Sequence, residues 1–161
     1  MMISEKMAAR LNDQVKHEFF SFWAYLAMAY SFETMGLKGF ARRFYKQAEE
    51  EKGHATKIAK YLVDQGASVK LTALDQPKVT YSSAQEIIEA ALEHEKKITK
   101  LIGEIASQAV AEGDHATHSF IEWFVDEQVE EVSTVSEILG WIKMTNSPGQ
   151  LLMLEGRVEN S

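Results

Sequence analysis

Apolar positions recur every three to four residues over four long stretches of this chain, the period of helices that each bury one face. Glycine and proline punctuate the pattern at Gly36 and Gly39, Gly66, Gly113, Gly149, Pro77 and Pro148. The spacing predicts helices over about residues 4–35, 40–65, 83–112 and 114–145, with a short fifth over about 150–159. Ser83, followed three residues on by Glu86, reads as a capping box opening the third helix, and Asp114 as the cap of the fourth.

The stretch from residue 66 to 82 carries no such period. A helix of about 26 residues is roughly 39 Å long, and about 17 extended residues reach roughly 56 Å, so this connection can run the length of a bundle. Helices two and three then lie parallel, while the short links make helices one and two, and three and four, antiparallel hairpins. The predicted fold is all-α: a four-helix bundle with one long crossover between helices two and three and a short C-terminal fifth helix, in one domain spanning residues 1–161.

Glutamates interrupt the apolar faces. At about 100° per residue, Phe44, Ala48, Ala55, Ile58 and Leu62 of the second helix all fall within about 60° of Glu51, and His54 lies about 60° to one side. Glu18 lines up with Met7, Leu11, Val15 and Tyr25, and Glu95 with Ile88, Ala91, Ile98 and Ile102. Glu127 and Glu131 share a face with Phe120, Trp123, Phe124 and Ile138. Every bundle helix thus carries an inward glutamate, and no lysine or arginine occupies these stripes. One such residue is ordinarily a buried stem with its carboxylate escaping to solvent, but four in phase are costly unless something compensates their charge. Spacing argues that they meet. Glu18 to Glu51 and Glu95 to Gln128 are both 33 residues, and Glu18 to His54 and Glu95 to Glu131 both 36. Two hairpins matched in this way place their polar residues at equal depth, mid-bundle, where converging carboxylates require cations.

Composition narrows which cations. The chain has no cysteine, so ligation must come from oxygen and imidazole, and one imidazole among carboxylates favours iron or zinc over calcium or magnesium. A net charge of −7 with scattered basic residues disfavours nucleic acid as a partner. No apolar run approaches membrane-spanning length and the N-terminus lacks an export pattern, so the expected location is cytoplasmic, without a membrane partner.

These residues resemble the ferritin-like di-iron carboxylate proteins, in which inward Glu and Glu-x-x-His ligands build a bundle-core site. Within that superfamily "HEFFSFWAY", "AEEEKGH", "EHEKKI" and "IEWFVDEQVEE" are similar to the bacterial non-haem ferritins, over nearly the whole chain. The resemblance implies a ferritin-like fold and a 24-subunit cage that oxidises Fe(II) with O₂ or H₂O₂ and stores the product as a ferric mineral. It implies a first iron site of Glu18, Glu51 and His54, with Glu51 bridging to a second completed by Glu95, Glu131 and Gln128. Tyr25 and Trp123 match the aromatic neighbours, Tyr25 within the catalytic set. A third iron site would use Glu50, Glu127, Glu130 and Glu131. Haem is not expected, because Lys52 and Gly53 stand between Glu51 and His54, where a bacterioferritin carries its haem-ligating methionine.

Two other classes compete: a non-storing di-iron oxidase or peroxidase of small oligomeric state, and a helical interaction module without metal. Cage size and mineral capacity separate storage from the first, and an effect of Fe(II) on stability separates it from the second. On the fourth helix Ile121, Val125, Val129, Val132 and Leu139 form a second apolar stripe, which suggests a further buried contact.

Overall fold

A computed structural model describes residues 1–161. It contains α1 (Glu5–Thr34), α2 (Lys38–Asp64), α3 (Ala84–Glu112), α4 (His115–Lys143) and two short C-terminal helices, α5 (Pro148–Met153) and α6 (Glu155–Glu159), with no strands. Each long helix is bounded by local chemistry. Ser4, Ser83 and Asp114 accept the backbone N–H three residues on, at Met7, Glu86 and Thr117. The capping box at α3 is offset by one residue from the expected one: Glu86 reaches back to the amide and hydroxyl of Ser82. Gly36, Gly66 and Gly113 close α1, α2 and α3 with positive φ. At Gly36 the N–H donates to Glu33 O, and Leu37 N–H to Phe32 O, the paired bonds of a Schellman cap that a left-handed glycine permits.

The topology is the predicted one. Ser4 Oγ donates to Glu112, which sets the start of α1 beside the end of α3, and Tyr61 meets Thr117 where α2 ends and α4 begins. The crossover runs along α1. Asn12 holds its first part through Ser68 O and Lys70 N–H, and Ser31 donates to Val79 O near its far end. The fifth helix departs from expectation in being two, broken at Leu154, with Ser147 and Pro148 starting α5 earlier than predicted. α6 returns to the start of α2: Gly39 N–H donates to Glu155, Arg42 to Glu159, and Val158 is fully buried.

The core is divided. One apolar cluster holds Tyr25, Phe32, Phe40, Phe44, Ala48, Ala91 and Val135, and a second holds Val15, Ile58, Ile98, Ile102 and Phe124. On each long helix the glutamates lie between residues of the two clusters: Glu18 between Val15 and Tyr25, Glu51 between Ala48 and Ile58, Glu95 between Ala91 and Ile98, and Glu131 between Phe124 and Val135. A single polar layer therefore crosses the bundle at mid-height. The second stripe of α4 splits: Ile121 and Leu139 are buried within the chain, whereas Val125 and Val129 are exposed.

Candidate metal centre

Glu18, Glu51, His54, Glu95, Gln128 and Glu131 are all buried and occupy this layer. Three groups have ligand atoms within 4.8 Å of one another: Glu18 with Glu51 and His54; Glu51 with Glu95 and Glu131; and His54 with Glu127 and Glu131. The first two share Glu51. Glu131 belongs to the second and third. Of the residues expected at a third site, Glu127 is half-buried and joins a group, while Glu50 and Glu130 fall outside all three. Glu130 is exposed, and Glu50 lies 3.9 Å from the Lys46 ammonium.

A shell of donors orients the carboxylates. Gln14 Nε2 donates to Glu18 Oε1 at 2.8 Å, and Gln47 Nε2 donates to both Glu51 Oε1 and Glu131 Oε2, each at 2.8 Å. Tyr25 donates to Glu95 Oε1 at 2.5 Å, and Gln128 Nε2 to Glu95 Oε2 at 3.0 Å and to Thr99 Oγ1 at 3.1 Å. Gln128 thus directs its amino group at protein acceptors, which leaves Oε1 as the atom it can offer a metal. His54 Nδ1 lies 3.2 Å from Glu51 Oε2 and 3.7 Å from Glu18 Oε2. The imidazole is packed edge-on to Trp123 and Phe124, and the Lys57 ammonium sits 3.2 Å above the Trp123 ring.

The neutral donors Gln14 and Gln47 escaped the sequence reading. Their signal was the repeated Gln-to-Glu interval of four residues, at 14/18 and 47/51, on the two helices of one hairpin. The stripes themselves carry no basic residue, but one lies at one remove: Arg43 is buried and donates to Gln47 Oε1 at 2.9 Å. It sits to the side of the Glu51 stripe, off the face that helical phase marks as core.

Electrostatics shows how far these donors fall short. Burial, reinforced by the charge of Glu51, pushes the Glu131 carboxyl up to about 8 and the Glu95 carboxyl up to about 7, against the hydrogen bonds from Gln47, Tyr25 and Gln128. Glu51 is likewise raised by burial. Burial opposes charging of His54, but the close Glu18 carboxylate and the hydrogen bond and charge of Glu51 outweigh it and raise the ring to about 10. Protons balance the charge where cations are absent. Glu18 Oε2 nevertheless stays buried with no hydrogen-bond partner, facing His54 and Glu51, an unmet acceptor of the kind a cation satisfies. Hard oxygen donors with one imidazole, oriented by outer hydrogen bonds, suit iron or zinc.

His17 and His94, each one residue from a core glutamate, fall in none of the three groups. The buried face of His94 instead meets Ser21 Oγ at 2.6 Å. No helix is long and apolar enough to cross a membrane.

The family model for the ferritin-like domain matches residues 8–145. The chain is 36% identical over 153 residues to the bacterial non-haem ferritin of Staphylococcus aureus strain USA300, covering 95% of this chain and 92% of that protein. It is 38% identical over 148 residues to the bacterial non-haem ferritin of Bacteroides fragilis strain 638R, covering 92% and 93%. The fold superimposes with a TM-score of 0.95, at 36% identity and over 99% of both chains, on an open-pore ferritin from the hyperthermophilic archaeon Archaeoglobus fulgidus.

Proposed function

The chain belongs to the ferritin-like family, and from that premise we propose that it stores iron by oxidising Fe(II) mid-bundle and holding the ferric product as a mineral inside a 24-subunit cage. The observation carrying this reading is the pair of three-residue groups that share Glu51, set in a polar layer between two apolar clusters. Glu18, Glu51 and His54 take one Fe(II). Glu51, Glu95 and Glu131, with Gln128, take the second, so Glu51 bridges the pair.

Iron here is substrate, and the protein supplies geometry, charge and proton acceptors. Each Fe(II) gives up one electron; O₂ takes two electrons and two protons to leave as H₂O₂, or H₂O₂ takes the same to give two waters. Carboxylates stabilise Fe(III) over Fe(II), which favours oxidation, and labile oxygen ligation lets the product leave. Tyr25 keeps Glu95 oriented and favours its ionised form. A third iron draws on Glu127 and Glu131, which converge with His54, with the more exposed Glu50 and Glu130 outside that group as its remaining ligands.

The test is to load purified apoprotein with excess Fe(II) in air, desalt it, and count retained iron per chain beside a Glu51→Ala control. Tens of iron atoms or more establish storage, because side-chain sites hold only about two or three. Retention of about two identifies a non-storing di-iron oxidase instead.

A further inference from the structure

Gln47 is only 3% exposed, and its one amino group contacts two carboxylates on different helices, Glu51 on α2 and Glu131 on α4. Its carbonyl oxygen accepts from Arg43 Nη1 at 2.9 Å. Arg43 is 8% exposed and forms no ion pair; its Nε donates to Ser161 Oγ at 3.3 Å. A buried guanidinium without a carboxylate is expensive, and an unbranched apolar side chain would fill the same space more cheaply. Fold stability alone therefore gives no reason for it.

What arginine adds is direction. A guanidinium can only donate, so it holds the Gln47 carbonyl and obliges the amino group to face the carboxylates. Without it the amide is free to turn over, and a carbonyl oxygen aimed at two carboxylates would repel both. Orientation matters most for Glu131, the carboxylate common to the group with Glu51 and Glu95 and the group with His54 and Glu127. By tying Glu131 to Glu51, Gln47 holds it on the inner side.

We propose that Arg43 and Gln47 are positioning residues that commit Glu131 to the inner metal group with Glu51 and Glu95, and so decide which of two cations this shared carboxylate serves. The proposal rests on reading the mid-bundle layer as a two-metal centre.

The test is calorimetric titration of the assembled, metal-stripped full chain with Zn(II), a redox-inert probe, with assembly and helicity checked for each variant. Wild type takes up about two tight ions per chain. Gln47→Met preserves volume and removes the donor: the second ion, two of whose carboxylates Gln47 holds, weakens by roughly 10-fold or more, while the ion at Glu18 and His54, which shares only Glu51 with it, weakens clearly less. Arg43→Met weakens the same ion, and adding it to Gln47→Met costs nothing further, because Arg43 acts through Gln47. Wild-type affinity in Gln47→Met, equal loss at both ions, or additive effects in the double variant overturn the proposal. If Gln47→Met does not assemble, Arg43→Met decides alone, and unchanged binding overturns it. Failure of the wild type to bind Zn(II) overturns the two-metal reading itself, a result distinct from the others.

Discussion

At the residue scale, the proton competes with the cation, and Tyr25 is the side chain best placed to bias that competition. Its hydroxyl donates to Glu95 Oε1 and favours the ionised carboxylate, whose titration near 7 falls where small shifts change occupancy. Tyr25→Phe removes one charge-assisted hydrogen bond, so Glu95 holds its proton more tightly. The midpoint of Zn(II) binding against pH then moves upward by about one unit. Calorimetry across the neutral range measures this, and an unmoved midpoint would leave Tyr25 as core packing. The ligands themselves were legible in the sequence because a carboxylate on an apolar helical face violates the pattern, and four violations at matched intervals locate one layer. Their supporting amides were not. Gln14 and Gln47 carry no charge, and a glutamine at a core edge breaks no rule; only the side-chain geometry shows which acceptor each serves. Glu50 and Glu130 illustrate the opposite limit, since their places on the surface depend on rotamer and neighbours that spacing does not encode.

At the scale of elements, the four long helices follow from periodicity plus punctuation, with boundaries within about two residues of those expected because Ser4, Ser83, Asp114 and the left-handed glycines are local signals. The C-terminal segment is less legible in the sequence. Its division at Leu154 falls beside a tertiary contact with α2, where Gly39 leaves room for the Glu155 backbone and no alternating pattern announces the approach. A Cβ added at Gly39 would lie 2.6 Å from Glu155 O and 2.8 Å from Glu155 Cβ. Gly39→Ala therefore favours α2 locally by up to about 1 kcal/mol through helix propensity, yet displaces α6 and its bonds from Gly39 and Arg42. The expected outcome is an intact bundle with a loosened tail, seen as faster tryptic cleavage at Lys143 and Arg157 and faster amide exchange after residue 147. Unchanged cleavage and exchange would mean that the tail docks by its apolar residues alone.

At the scale of the whole molecule, the mid-bundle layer links stability, pH and metal. In the metal-free protein Glu95, Glu131 and His54 all titrate above their ordinary values, at about 7, about 8 and about 10, so the folded state binds more protons than the unfolded one. For each such group the stabilisation is fully present below its unfolded pKa and is lost as pH rises through its folded pKa. Metal-free stability therefore declines from about pH 5 toward about pH 10 as these protons leave and like charges remain in a dry layer. Bound cations reverse the sign of this contribution. They replace the protons, so the free energy of binding grows as pH rises, and binding at neutral pH releases protons into the buffer. Other ionisable groups, and the general repulsion of a chain with net charge −7, act on both forms alike and cancel in their difference. The diagnostic quantity is thus the gap in melting temperature between Zn(II)-loaded and chelator-treated protein. It should widen between about pH 6 and about pH 9, with each kcal/mol of differential stability worth roughly 2–4 °C for a chain of this size. A gap that is constant or narrows over that interval would mean that the buried carboxylates are neutralised by something other than exchangeable protons. In that case the layer would be a structural polar core, and its sharing of Glu51 would have no bearing on iron.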